Sequence, residues 1–370
     1  MKKICIVTAA RSEYGVLRWI IDEVYHDKDL ELQLVVTGAH LSEEQGMTVQ
    51  FIEQDGYPIA ERVPILQKGN DDVAIAKIMG TCSSLMAETF KRLQPDMVVV
   101  LGDRYELLPI VSTALVMRLP IAHISGGDVT EGAIDDEVRN AVTMMSTIHF
   151  PGVEASAENI RRMRGSDKNV FAVGEPGLDS FLRLDLLSKE ETAKQLGLDT
   201  NKKWCLVTLH PETKLSLDKN LCMAHSLYEA MRNTHGIQYV ITKANADLGG
   251  SVINEFWASA IENDKDTFRL YSSLGQLRYL SFMKFADMVV GNSSSGIIEA
   301  PLMGTPVVNI GDRQKGRYMG KNIICCGRDI KNINNAFGRA ISQDRAIDTY
   351  WGDGHSSERI VAAIKRFFGV

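Results

Sequence analysis

Carboxylates gather where two apolar runs end. Met97-Val98-Val99-Val100-Leu101 stops at Gly102-Asp103-Arg104-Tyr105-Glu106, and the run Leu119 to Ile124 stops at Ser125-Gly126-Gly127-Asp128. Glu131, Asp135, Asp136 and Glu137 follow within one short loop. Carboxylates sharing a rim raise one another's pKa values, which suits them to hold and move protons in general acid–base work. Helix capping, for which Asp is a preferred residue, explains any one of these acids but not the group.

The second half carries a different chemistry. Gly291-Asn292-Ser293-Ser294-Ser295-Gly296 lies between an apolar run and the apolar residues Ile297, Ile298 and Leu302. Backbone N–H groups at such a strand-to-helix turn, joined by serine hydroxyls, make an anion site. Glu299 lies about one turn further on, where a carboxylate accepts from a vicinal diol. Arg11, after the first apolar run, has the fork to clamp a phosphate. His210 directly follows the run Trp204 to Leu209, and a histidine there can donate to a leaving phosphate or trade protons. Arg313, Lys315 and Arg317 form a basic knot. GxGxxG is absent from the first turn and GxxxxGK[ST] from the whole chain, which disfavours dinucleotide oxidoreductases and P-loop kinases.

The elements that position these residues are short β-branched strands of the kind buried on both faces of a parallel sheet. In open α/β sheets the carboxyl ends of the strands face the ligand crevice. Strands are expected at Lys3–Thr8, Leu32–Thr37, 97–101, Leu119–Ile124, His149–Gly152 and Asn169–Val173, with helices between them. The polar stretch 188–203 is read as a crossing. Alternation then restarts, with strands at Trp204–Leu209, Gln238–Thr242, Phe268–Tyr271, Asp287–Val290 and Val307–Ile310. The amphipathic segment Ser356–Phe368 is expected to pack back on the first half. The reading is α/β: two Rossmann-like doubly wound domains, 1–178 and 188–355, facing each other across a cleft in the GT-B arrangement.

The chain has 370 residues, enough for two cores. Its net charge of −6 and lack of a long basic run argue against nucleic acid or an anionic membrane as partner. No apolar stretch approaches membrane-spanning length, and the N-terminus lacks a signal-peptide pattern. The six cysteines show no CxxC spacing, so buried reduced thiols in a cytoplasmic protein are expected. The eight histidines include no pair at helical ligand spacing, and no metal is expected.

Together, Thr8-Ala9-Ala10-Arg11-Ser12-Glu13-Tyr14-Gly15, Leu101 to Glu106, His123 to Asp128, Leu209-His210-Pro211-Glu212-Thr213, the serine run and Asn309-Ile310-Gly311-Asp312-Arg313-Gln314-Lys315-Gly316-Arg317 resemble the UDP-N-acetylglucosamine 2-epimerases, nearly end to end and in order. They are most similar to the hydrolysing branch, which opens bacterial sialic and legionaminic acid synthesis and forms the epimerase half of the bifunctional animal enzyme. The resemblance implies loss of UDP from C1 with removal of the C2 proton. A 2-acetamidoglycal results; water then adds at C1 and a proton returns to C2 from the opposite face, giving the free 2-epimer. It implies UDP-GlcNAc as substrate and N-acetylmannosamine as product, with UDP-N,N′-diacetylbacillosamine as the alternative substrate. The non-hydrolysing epimerases and the GT-B glycosyltransferases are the rival activities, and a non-catalytic UDP-sugar sensor is the rival outside enzymes.

By carry-over, Asp103 and Asp135 match catalytic acids. Some relatives have glutamate where this chain has Ser125, so Asp128 and Glu131 are the acids expected to stand in, with His210 on the leaving diphosphate. For the nucleotide the resemblance points to Arg11, Gly15, Arg104, His210, Asn245, Asp247, Ser293, Ser294, Ser295, Gly296, Glu299 and Arg313. It implies no cofactor, and a homodimer or homotetramer.

Overall fold

Continuous burial along the first strand shows how the chain layers itself. The computed structural model describes residues 1–43, 46–66, 72–129, 134–212, 215–244 and 249–370. In β1 (Lys2–Thr8), Ile4, Cys5 and Ile6 are all fully buried. Successive strand side chains point to opposite faces, and a strand with both faces covered needs a helix layer on each. Ile4 and Ile6 join Leu17, Ile20 and Val24 of helix Arg11–His26, and Ile360 and Ile364 of helix Ser356–Phe368. Cys5 and Val7 join Met86 and Phe90 of helix Asp72–Leu93, and Ile110 and Val111 of helix Leu107–Val116.

The chain divides into two units, Met1–Ser180 with Trp351–Val370, and Phe181–Tyr350. The first adds β2 (Leu30–Thr37), β3 (Ile59–Val63), β4 (Met97–Leu101), β5 (Ile121–Ile124) and β6 (Ile148–Phe150). Its sheet runs β3-β2-β1-β4-β5-β6, and every pairing is parallel. The second holds β7 (Lys203–Thr208), β8 (Ile237–Thr242), β9 (Phe268–Tyr271), β10 (Met288–Gly291), β11 (Val307–Ile310) and β12 (Ile323–Cys326). Its order is β12-β11-β10-β7-β8-β9, again parallel throughout. Both orders are doubly wound, and two such units make the GT-B class. Strand order reverses between β1 and β4 in the first unit and between β7 and β10 in the second. A ligand crevice opens at such a switch point.

Three strand expectations need correction. Asn169–Val173 is no strand, since only Val170 bridges to His149. Two strands were missed, β3 and β12. Both lie at sheet edges, and β3 alternates partly buried and exposed residues through Glu61 and Arg62 instead of forming an apolar run. The six cysteines are free thiols; Cys5, Cys82 and Cys205 are buried, but Cys222 and Cys325 are exposed, contrary to expectation. Among the described residues, no helix is long and apolar enough to cross a membrane.

The C-terminal helix is tied to the first unit by a distant carboxylate. Asp179, fully buried, accepts from the backbone N–H groups of Ser356 (2.9 Å) and Ser357 (2.7 Å). Lys365, near the other end, pairs with Asp27 at 2.7 Å and Asp29 at 2.9 Å. An N-terminal N–H left without an acceptor in the interior costs about 1–3 kcal/mol. Asp179→Ala is therefore expected to lower the first unit's unfolding midpoint in calorimetry. An unchanged midpoint would show that the cap contributes nothing.

Candidate active site

In the first unit the chemistry collects after β1, β4 and β5. Glu13, in the first turn of helix Arg11–His26, reaches back to accept from Ala9 N at 2.7 Å and so closes the loop after β1. It is buried, and its other oxygen lies 3.5 Å from Arg104 Nε. Arg104 in turn donates to buried Glu106 at 2.6 Å. Burial pushes the Glu13 carboxyl up to about 7, against the Ala9 N–H and Arg104, which pull it down. Glu13 was not among the residues expected from the sequence, although a glutamate reaching back from a first helical turn is a recognisable signal. Arg104, expected on the nucleotide, is held by Glu106 and Glu13.

After β4, Gly102 turns the chain at a φ of +80° and Asp103 pairs with Arg139 of helix Ile134–Met145. Arg139 is buried, and it also donates to the Asp128 carbonyl at 3.0 Å and pairs with Asp136 at 3.3 Å. One guanidinium thus gathers the acidic rim, a role that nothing in the spacing of Arg139 announced. Asp135 lies in the same first helical turn, where partial burial and then the Asp103 charge raise its carboxyl. Asp128 accepts from the Ser156 hydroxyl. Gly127 before it, at φ +82°, leaves no room for a side chain: a Cβ would sit 2.2 Å from the Ser156 carbonyl oxygen. Glu131 lies outside the described residues. Arg11 stacks over the Phe51 ring at 4.4 Å, and Gly15 lies half-buried in the helix after β1.

His123 on β5 secures this rim without trading protons. Its Nε2–H donates to the Gly102 carbonyl at 2.8 Å, which leaves Nδ1 to accept from Thr143 at 3.1 Å. Burial pushes its pKa down to about 4, and likewise that of His40 to about 4 and His149 to about 3. All three are fully buried, and neither His149 ring nitrogen has a hydrogen-bond partner among the described residues. An unfolded histidine takes up its proton near 6.5, so the unfolded state binds more protons below that pH. The stability these neutral rings contribute is complete above about pH 6.5 and is lost as pH falls toward 4. Glu13 acts oppositely, since its raised carboxyl costs stability as pH climbs from the ordinary carboxylate range to about 7. The raised Asp135 carboxyl works in the same direction as Glu13, and three imidazoles outweigh these two carboxyls, so the first unit's melting temperature is expected to drop by several degrees between pH 7 and pH 5. A flat profile in calorimetry over that range would contradict the burial of these rings.

In the second unit the groups collect after β7, β10 and β11. Gly291 ends β10 at φ +136°, with Asn292 turned back onto β7. The Asn292 side chain accepts from His210 N at 2.7 Å and donates to His210 O at 2.9 Å. Ser293 caps the five-residue helix Ser294–Ile298, accepting from Ser295 N. Gly296 is buried in that helix, while the three serines are half-buried. The Ser295 hydroxyl meets the Tyr279 hydroxyl at 2.7 Å. Burial raises the Glu299 carboxyl, and burial followed by the Glu299 charge raises the Tyr279 phenol. Arg313 and Gln314 donate to the Asn292 carbonyl at 3.1 and 2.9 Å. His210, the serine run, Glu299 and Arg313 are thus joined through few intermediaries, Tyr279 among them, which the sequence did not single out. Asn245 and Asp247 lie outside the described residues. Among the described residues, no three His, Cys, Asp or Glu side chains are grouped to hold a metal ion.

Comparison with known proteins identifies the family. A family model described as UDP-N-acetylglucosamine 2-epimerase matches residues 22–365. The chain is 38% identical over 343 residues to the GDP/UDP-N,N′-diacetylbacillosamine 2-epimerase (hydrolyzing) of Campylobacter jejuni, covering 93% of this chain and 88% of that one. It is 31% identical over 366 residues to the UDP-N,N′-diacetylbacillosamine 2-epimerase (hydrolyzing) of Legionella pneumophila, covering 99% and 96%. In fold it is similar to the crystal structure of the UDP-GlcNAc 2-epimerase from Neisseria meningitidis bound to UDP-GlcNAc, with a TM-score of 0.78 at 18% identity over 98% of this chain and 100% of that one. The chain belongs to the UDP-N-acetylglucosamine 2-epimerase family.

Proposed function

We propose that this chain is a hydrolysing UDP-sugar 2-epimerase that converts UDP-GlcNAc to N-acetylmannosamine and UDP. The observation that carries the reading is the content of the two switch points. One holds an acidic rim gathered on Arg139. The other holds serine, histidine and arginine groups gathered on Asn292.

The reaction needs both sets. The C2 proton has no adjacent carbonyl to acidify it, so its removal is coupled to charge developing on the departing diphosphate, which fixed donors stabilise. Ser293, Ser294, Ser295 and the Gly296 backbone take the phosphates, with His210 donating to the leaving oxygen. Glu299 accepts from the ribose diol, and Arg313 and Arg11 add positive charge. Loss and return of a proton on opposite faces of C2 require two acid–base groups. Asp103 acts as the carboxylate base. Asp135, whose carboxyl is raised by burial and by Asp103, holds the proton to be delivered, and Asp128 is the further acid beside the site. Water then adds at C1. On this reading the enzyme is a cytoplasmic homodimer or homotetramer that needs no cofactor.

A second reading keeps the chemistry and changes the sugar to UDP-N,N′-diacetylbacillosamine, the substrate named for the Campylobacter and Legionella relatives. Chromatography of each UDP-sugar incubated with the full chain tests both. The proposal expects UDP and a free 2-epimer to accumulate in equal amounts from UDP-GlcNAc, and turnover of only the diacetyl sugar would establish the second reading. Equilibration between two UDP-sugars without free UDP, or turnover only with an added acceptor, would reject hydrolysis.

A further inference from the structure

We propose that Glu212 is a positioning residue that holds the loop after β11 against the end of β10, and so sets the affinity for UDP through Arg313. The inference rests on the diphosphate-binding role proposed above for Arg313 and the serine run.

Glu212 stands two residues after His210 and is buried. Its backbone is clipped to helix Leu217–Arg232: Glu212 N donates to Asn220 Oδ1 at 2.8 Å, and Asn220 Nδ2 donates to Glu212 O at 3.1 Å. The side chain is thereby aimed at β11, which is not β7's neighbour, because β10 lies between them. Oε1 accepts from Asp312 N at 3.0 Å and from Arg328 Nε at 3.2 Å, while Oε2 accepts from Arg328 Nη2 at 2.6 Å. Arg328 also pairs with Asp312 at 2.6 Å. One carboxylate thus spans the end of β10 and fixes the residue before Arg313.

The approach is close enough to dictate the neighbouring residue. Gly311 has a φ of +77°, and a Cβ there would fall 2.0 Å from Glu212 Oε1. From that anchor Arg313 and Gln314 reach the Asn292 carbonyl, and Asn292 holds His210. The links close a ring through Glu212, Asp312, Arg313, Asn292 and His210. A bare carboxylate here would repel a diphosphate. With both oxygens occupied by donors, one of them a bidentate guanidinium, its charge is answered and it serves as an anchor. Groups that bind a ligand depend on such supports for their placement.

The test is calorimetric titration of UDP into the full chain as wild type, Glu212→Gln, Arg328→Met, Arg313→Ala and the Glu212→Gln/Arg313→Ala double variant. Losing a hydrogen bond to a charged group corresponds to about 10-fold in affinity. Glu212→Gln is expected to weaken UDP about 10-fold and to raise KM for the UDP-sugar in step, with kcat falling less than about 3-fold. Arg328→Met, at the half-exposed end of the clamp, should give a smaller loss of the same kind. Because Glu212 acts through Arg313, the double variant should bind UDP no more weakly than Arg313→Ala alone. Wild-type affinity in Glu212→Gln, or losses that multiply in the double variant, would overturn the proposal. If circular dichroism shows Glu212→Gln unfolded, wild-type affinity in Arg328→Met overturns it instead. A wild type that binds no UDP would reject the reading of the site itself, an outcome separate from either.

Discussion

Asp103→Asn is expected to reduce turnover by about three orders of magnitude while UDP binds within a few-fold of wild type. Positioned acid–base groups contribute about 10²–10⁴-fold, and a base that starts the reaction lies on the path of every product molecule. Asparagine matches aspartate in size and keeps an acceptor for Arg139, which also retains the Asp128 carbonyl and Asp136. The rim therefore survives the change while the proton acceptor does not. Steady-state kinetics with UDP titration reads both quantities. Wild-type-like turnover would remove Asp103 from the chemistry, and joint loss of turnover and UDP affinity would make its role structural.

Gly291→Ala is expected to be the most damaging single-methyl change in the second unit. A Cβ there would lie 1.9 Å from the Thr208 carbonyl oxygen and 2.6 Å from its carbonyl carbon. That backbone belongs to β7 at the sheet centre, where Thr208 pairs with both Gly291 and Thr242. Neither strand has space to yield, and the φ of +136° is itself costly for alanine. Backbone strain and overpacking together cost about 2–6 kcal/mol, enough to unfold a marginal domain. Urea unfolding followed by Trp204 and Trp257 fluorescence, both in this unit, measures it. A loss below about 1 kcal/mol would mean that the β7–β10 contact is looser than described.

What the sequence disclosed was set by periodicity and punctuation. β9 and β11 fall at the expected residues because each is a short, mostly apolar stretch (broken by Arg269 in β9 and Asn309 in β11) closed by polar or glycine residues, and helix Ser356–Phe368 was legible from its amphipathic stripe. Both switch-point motifs were legible for the same reason: Gly-Asp-Arg and Gly-Asn-Ser follow apolar runs too short to be anything but buried strands. β3 escaped notice because its outer side is unpaired and tolerates charge, as Glu61 and Arg62 show. Partnerships escaped for a different reason. Periodicity gives the face a residue occupies but not the side chain it meets. Asp103 meets Arg139 across 36 positions and Glu212 meets Arg328 across 116. Arg104, expected on the nucleotide, pairs with Glu13 and Glu106, whose burial no local pattern conveyed.

The central claim is that this chain strips the proton from C2 as UDP leaves and returns one to the other face. Proton NMR of UDP-GlcNAc turned over by the full chain in D₂O reads that event directly. The account predicts free N-acetylmannosamine carrying deuterium at C2, formed in step with UDP. A released sugar that keeps its original C2 proton, or that retains the gluco configuration, would contradict it.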